Sequence, residues 1–251
     1  PAESGELASG LSGEGRMAEP ENIVSFLERD LLEKLPLKGK KILITAGPTY
    51  EAIDPVRFIG NHSSGKMGFD IANEAANKGA EVILVTGPTH LNVQNSAIKL
   101  IRVISAQEMY DACHEFYNSV DVAIAAAAVA DYRPKNVAEQ KIKKNEATFS
   151  IELEKTKDIL ASLGEQKKKQ FLIGFALETE NEIEHAKQKI QKKNLDLIVL
   201  NSLNDKGAGF GLPTNKVTFI SKDFIVEPKE LKSKEEVAQD IINKVIQFYD
   251  A

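Results

Sequence analysis

The sequence predicts an α/β fold: a Rossmann-like open, mostly parallel sheet with helices on both faces, followed by a late β-hairpin. Three observations predict it. Short apolar, β-branched runs at 41–45, 82–86, 100–103 and 122–128 have the length of buried strands rather than helices. Stretches of helical apolar spacing at about 64–78 and 106–120 lie between them, and that alternation favours parallel strands joined by right-handed crossovers. Three of the runs end in small residues, at Ala46-Gly47, Thr86-Gly87 and 127–131. In such sheets a ligand sits outside the carboxyl ends of the strands.

Residues 1–20 are rich in Gly, Ser and Glu and read as a flexible arm. Residues 21–39 read as a linker. Ile23, Val24, Phe26, Leu27 and Leu31 recur there at helical spacing, so a helix over 21–35 is expected to pack on the main domain. From 40 to 251 no further boundary is visible, and a single domain is expected. Gly79 is a natural stop for the helix at 64–78. Gly87-Pro88-Thr89 echoes Gly47-Pro48-Thr49, which reads as shared turn chemistry rather than a repeat. Apolar runs at 171–176 and 195–200 flank a charged helix at 181–193. A Gly-rich loop spans 201–215, and runs at 216–220 and 224–226 pair across Ser221-Lys222-Asp223 as the hairpin. An amphipathic helix at 234–248 closes the chain.

Composition narrows the function classes. The 251 residues are 42% apolar and 27% charged, ordinary for a globular chain with a buried core. A net charge of −5 does not indicate general affinity for nucleic acid. No apolar run approaches the roughly 20 residues needed to span a bilayer, and the start of the chain lacks an apolar signal core, so no membrane partner and a cytoplasmic location are expected. The lone cysteine, Cys113, excludes an intrachain disulfide, and its neighbours Tyr110, Ala112 and Phe116 suggest an inert packed position. The four histidines, His62, His90, His114 and His185, form no metal-ligand spacing. With no G-x-S-x-G elbow either, a nucleophile-dependent hydrolase is disfavoured.

The chemistry concentrates in the loop after the first strand. Ser63 or Ser64 can cap the helix that follows. A helix N-terminus after a strand offers free N–H groups and the positive dipole end to an anion. Lys66 and Arg57 add positive charge, so Ser63, Ser64, Gly65 and Lys66 read as a phosphate site. Gly60 to Lys66 fits G-x-x-x-x-G-K, but Met67 stands where a true P-loop needs Ser or Thr for magnesium. The dinucleotide fingerprint G-x-G-x-x-G is absent, since Pro48-Thr49 follows Gly47.

Elsewhere the residues leave alternatives open. Asp131 ends a run of small side chains, where it can serve ribose hydroxyls or magnesium, or simply cap a turn. Lys141, Lys143 and Lys144 lie in a polar stretch without periodicity, which composition alone reads as a solvated loop. Lys189 and Lys193 share one helical face, ordinarily a solvent face. Phe175 ends a buried run and reads as core. A phosphate loop, a strand-end aspartate and lysines suit nucleotidyl chemistry, where the protein positions reactants and stabilises charge.

TAGPTYEAIDPVRFIGNHSSGKMG (45–68) closely resembles the opening motif of bacterial phosphopantothenoylcysteine synthetase, a ligase of coenzyme A biosynthesis. That activity is usually the C-terminal half of a bifunctional protein whose N-terminal half is a decarboxylase. AAVADYRP (127–134), KIKK (141–144) and GFALET (174–179) reinforce the resemblance, which covers about 40–249. It implies joining of 4′-phosphopantothenate to L-cysteine through an acyl-cytidylate, with CTP consumed, Mg2+ assisting, and CMP and pyrophosphate released. It implies catalytic roles for Asn61, Lys141 and Arg57. It implies nucleotide contacts from Gly47, Ala125, Ala126, Ala127, Asp131, Lys141, Lys157, Asp158, Ile159, Leu160, Phe175, Lys189 and Lys193. It also implies a homodimer, with higher oligomers only alongside a decarboxylase half. The KIKK flap favours CTP, although relatives elsewhere use ATP. Residues 1–20 resemble the substrate-clamping tail of the decarboxylase half, but Ser9 stands between Ala8 and Gly10 where that family has its catalytic cysteine. No flavin and no decarboxylase activity are therefore expected. The competing readings are an NADP-binding oxidoreductase or nucleotide-binding module of the same β/α order, and a non-catalytic remnant.

Overall fold

The computed structural model describes residues 2–6, 10–143, 149–178, 180–202 and 211–250. An antiparallel pair, β1 (Glu3–Glu6) and β2 (Ser12–Arg16), precedes α1 (Pro20–Glu33). Then come β3 (Lys41–Ala46), the hairpin strands β4 (Tyr50–Ala52) and β5 (Phe58–Gly60), α2 (Lys66–Asn77), β6 (Glu81–Thr86) and β7 (Ile98–Arg102). They are followed by α3 (Ala106–Tyr117), β8 (Val122–Ala125), β9 (Tyr132–Pro134) and β10 (Leu153–Lys155). The chain continues through α4 (Ile159–Gln166), β11 (Phe171–Glu178), α5 (Glu182–Lys192) and β12 (Leu197–Ser202). It ends with β13 (Thr214–Asn215), β14 (Val217–Ser221), β15 (Val226–Pro228), β16 (Lys232–Ser233) and α6 (Lys234–Asp250).

Eight strands form the central sheet in the order β15-β14-β12-β11-β8-β3-β6-β7. From β12 to β7 every pairing is parallel; β14 and β15 join antiparallel as the expected late hairpin. Ile44 pairs with Leu84 on one side of β3 and with Ile124 on the other. Strands covered on both faces read as continuous apolar runs, which is why this sheet was visible in the sequence. Alternate residues of β3 feed two cores. Ile42, Ile44 and Ala46 pack with Ile71, Ala75, Ile241 and Val245 of α2 and α6. Leu43 packs with Met109, Leu163 and Ile190 of α3, α4 and α5 on the other face.

The sheet builds from β3 outward to β6 and β7, then returns to β8 and proceeds the other way. This reversal leaves a crevice beyond the carboxyl ends of β3 and β8, the usual ligand position in such sheets.

Two expectations need correction. The helix α1 forms, but none of its residues is buried; Ile23, Val24, Phe26, Leu27 and Leu31 are exposed. Its apolar stripe satisfies helical spacing without an element among the described residues to cover it. The stretch read as a flexible arm instead contains the β1–β2 ladder, closed by backbone bonds from Glu6 and Ser12 onward. Ala8 and Ser9 lie outside the described residues.

Candidate functional site

A cavity of about 720 Å³ fills the crevice. Its floor is the carboxyl end of β3 and β8, where Thr45 and 125–129 lie. The N-terminus of α2 opens on one end of it. The N-terminus of α4 and the lysines of α5 line the other.

At the α2 end, the helix cap is Gly65 rather than Ser63 or Ser64. Gly65 has φ 83°, a left-handed conformation that favours glycine, and no side chain caps the helix. The serines instead brace the turn: Ser63 Oγ accepts from Gly65 N at 3.3 Å and Ser64 Oγ from Lys66 N at 3.4 Å. Thr89, from the second Gly-Pro-Thr turn, donates to the Ser64 carbonyl at 2.9 Å. The echoed turn thus braces the loop that enters α2. Lys66 Nζ reaches Asp70 Oδ1 at 2.9 Å and Glu235 Oε1 at 3.0 Å. Burial alone would lower its pKa, but these carboxylates outweigh burial and raise it. Asp70 is shifted upward, chiefly by burial, and its Oδ2 has no hydrogen-bond partner among the described residues.

At the other end, Asp158 caps α4, its Oδ1 accepting from Ala161 N at 3.0 Å. Lys193 Nζ lies 2.7 Å from Asp158 Oδ2. Lys189 Nζ donates to the Phe175 carbonyl at 2.9 Å. Burial, then the neighbouring Lys193, pulls the Lys189 pKa down. Lys189 and Lys193 therefore turn toward the cavity, not to the solvent face that helical spacing alone suggests. Lys157 Nζ lies 4.6 Å from the centroid of the Tyr110 ring.

Between the ends, Asn61 Nδ2 donates to the Ala128 and Val129 carbonyls at 2.9 and 3.1 Å. Thr45 Oγ1 accepts from Ala127 N at 3.1 Å, and Ala128 N donates to the Gly47 carbonyl at 2.9 Å. These bonds strap the end of β8 to the turn after β3 and leave a surface of small side chains facing the cavity. Gly47 frames the strap without lining the cavity.

Asn61, Ser63, Ser64, Gly65, Lys66, Ala125, Ala126, Ala127, Asp131, Lys157, Asp158, Ile159, Leu160, Phe175, Lys189 and Lys193 all line this cavity. Arg57 and Lys141 do not. Arg57 is ion-paired with Asp54 and donates to the Ile142 carbonyl at 3.0 Å. Lys141 is exposed on the same segment. Lys144 of KIKK and Thr179 of GFALET lie outside the described residues. Sequence reasoning missed Lys155, Asn201, Asn215 and Lys234, which also line the cavity. Lys234 opens the closing amphipathic helix; it is buried where α6 meets α2, and burial pulls its pKa down.

Lys66, Lys155, Lys157, Lys189, Lys193 and Lys234 thus line the wall against two aspartates, Asp131 and Asp158. A cation-rich crevice at a sheet switch point, with a helix N-terminus at either end, marks an α/β domain whose site suits anionic ligands. Residues 37–249 match the model of the DNA/pantothenate metabolism flavoprotein C-terminal domain, and the chain belongs to that family. It is 46% identical over 243 residues to the coenzyme A biosynthesis bifunctional protein CoaBC of Bacillus subtilis strain 168, a match over 96% of this chain and 60% of that protein. It is 53% identical over 248 residues to a protein named cysteine/cysteine sulfinic acid decarboxylase from an unknown prokaryotic organism, over 97% of this chain and 69% of that one. The solved C-terminal domain of a CoaBC protein superposes with TM-score 0.74 at 48% identity, over 86% of this chain and 99% of that domain. A Cab2 variant solved in complex with phosphopantothenate-cysteine shares the fold, with TM-score 0.66 at 18% identity, over 93% of this chain and 95% of that one.

Proposed function

We propose that this domain is a phosphopantothenate–cysteine ligase, which activates the carboxylate of 4′-phosphopantothenate with CTP and transfers the acyl group to L-cysteine. One observation carries the reading: a single cavity has a helix N-terminus and lysines toward each of two ends, with small side chains between them, a lining suited to two separate anions. A substrate with one terminal phosphate and a nucleoside triphosphate need that arrangement if their reacting atoms are to meet in the middle. Membership of the family and likeness to coenzyme A biosynthesis proteins support it.

In the first step a carboxylate oxygen attacks the α-phosphorus, and the bond to pyrophosphate breaks. In the second the cysteine amine attacks the acyl carbon, the bond to the CMP oxygen breaks, and the amine proton is lost. The α2 N-terminus, Lys66 and Lys234 suit the substrate phosphate. Lys189, Lys193 and the α4 N-terminus suit the triphosphate, with Phe175 beside the base. Proximity supplies much of the rate in such a reaction, and preorganised donors supply more. Asn61 Nδ2 donates to the Ala128 and Val129 carbonyls, and its donation to the acyl oxygen competes with those bonds. Its Oδ1 suits accepting a hydrogen bond from the attacking amine.

Among the described residues no three or more His, Cys, Asp or Glu side chains cluster as a metal site. Mg2+ fits here as an ion carried by the triphosphate oxygens, with Asp131 as the cavity carboxylate at hand, since Asp158 is paired with Lys193. A homodimer in the cytoplasm remains part of this proposal; among the described residues no helix is long and apolar enough to cross a membrane. No flavin and no decarboxylase activity are proposed, and a flavin absorbance in purified protein would overturn that.

The test is CMP formation that requires both phosphopantothenate and cysteine. Pyrophosphate release with CTP and ATP compared fixes the nucleotide. Tight NADP(H) binding without CTP binding would favour the dinucleotide reading instead.

A further inference from the structure

Asp54 is a fully buried carboxylate on the tip of the β4–β5 hairpin, and it accepts five hydrogen bonds. Its Oδ1 takes the N–H groups of Val56 and Arg57, both at 2.9 Å. Its Oδ2 takes Arg57 Nε at 3.0 Å, the Arg57 terminal nitrogen, and the Ile142 N–H at 3.1 Å. The same Arg57 nitrogen donates to the Ile142 carbonyl at 3.0 Å. Both backbone groups of Ile142 are therefore held by one ion pair. Four residues upstream, Ala138 N donates to the Ile53 carbonyl at 3.0 Å.

This hardware stands outside the cavity and contacts none of its floor. What it grips is the residue between Lys141 and Lys143. A solvated loop of arbitrary position has no need of a desolvated carboxylate and a forked guanidinium, since ordering such a segment is entropically costly. The fork matters physically: a guanidinium can hold the carboxylate through two nitrogens and still reach a carbonyl, which a lysine ammonium does less well.

We propose that Asp54 and Arg57 form a clamp that positions the Lys141 segment for the reaction, with Asp54 as a positioning residue that touches no substrate. Arg57 acts through Ile142, not by contacting a phosphate from this chain's own cavity. The inference rests on the ligase reading above, together with the catalytic role that the resemblance of the KIKK segment implies for Lys141.

The test compares Asp54→Asn and Arg57→Lys with the wild type in hydrogen exchange and steady-state kinetics. The clamp predicts that the Ile142 amide exchanges at least about tenfold faster in both variants, while amides of β3 and β8 are unchanged. It predicts that kcat falls about 10- to 100-fold with the phosphopantothenate KM within about twofold, because the fixed geometry is lost and the binding groups are not. Arg57→Lys keeps the charge, so it discriminates: a direct phosphate contact would keep most of kcat and raise KM. Unchanged Ile142 exchange, or faster exchange with wild-type kcat, overturns the clamp. Should Asp54→Asn fail to fold, Arg57→Lys alone decides between these outcomes. An inactive wild type would instead refute the ligase reading, and the exchange data would still report whether the clamp exists.

Discussion

Asn61 Nδ2 donates to the Ala128 carbonyl across 2.9 Å, and so joins the loop before α2 to the strand end that forms the cavity floor. The two stretches are 67 residues apart in sequence. Replacing Asn61 with Asp sets a carboxylate oxygen against two carbonyls. The expected outcome is a folded protein whose turnover falls about 100- to 1000-fold, with amide transfer hit harder than nucleotidyl transfer. Quenched-flow measurement of pyrophosphate and CMP checks this: a pyrophosphate burst without matching CMP supports it, and equal losses of both count against it.

Gly68 lies in the first turn of α2 against β3. A Cβ there would come 2.6 Å from Ala46 Cβ and 3.0 Å from the Thr45 carbonyl. Gly68→Ala must push the helix off the strand, at a cost of about 1–3 kcal/mol typical of overpacking. The same shift moves the amides of α2 away from a bound phosphate. Urea melts should show the lower midpoint, and calorimetry a weaker phosphopantothenate affinity. A stable variant with full affinity would mean that α2 is not held tightly.

Lys189 is shifted below its ordinary 10.5 by burial and by Lys193, against the opposing pull of Glu178, Asp158 and Asp131. The folded chain thus releases this proton at lower pH than the unfolded chain. Between the two pKa values the unfolded chain holds more protons, so stability should rise with pH across that window. A bound triphosphate restores the charge, so CTP binding should take up a proton in that window. Calorimetry in two buffers of different ionisation enthalpy, just below pH 10.5, reads that uptake. Lys189→Met should abolish it and weaken CTP binding; an identical proton count in the variant would assign the effect to another group.

Cys113 is fully buried in the α3 layer, and burial pushes its thiol pKa to about 12. The thiolate is the reactive form. Native protein should resist thiol reagents at neutral pH and react only on unfolding. Rapid modification of the folded chain would show that α3 opens.

The central sheet was legible because each parallel strand is covered on both faces and reads as an unbroken apolar run. The place of the 61–66 loop at the cavity was legible because Gly, Ser and Lys stand where a strand gives way to a helix. What stayed hidden depends on distant partners. Nothing local marks Lys234 as buried; α2 packed on α6 does that. The eight-residue α4 is too short for a periodic signal. The helix-capping role fell to Gly65 because the loop enters α2 with a left-handed residue, which a preference for serine caps does not encode. Arg57 carried a phosphate reading because its acceptor, Asp54, lies only three residues away in a sequence that gives no hint of its burial. The α1 stripe shows the opposite failure, since periodicity predicts a helix but not something to cover it.

The hairpin strand β15 lies at one margin of the sheet. Ser221 N donates to the Ile225 carbonyl and Lys229 N to the Val217 carbonyl, so the odd-numbered residues of this strand bond inward. Position 228 faces the open side, and there the chain has a proline, which has no amide hydrogen to offer an incoming strand. Glu227, salt-bridged to Lys229 and Lys244, adds charge alongside. That margin is built against amyloid-like extension, and Pro228→Val should make concentrated solutions of the protein more prone to form fibres.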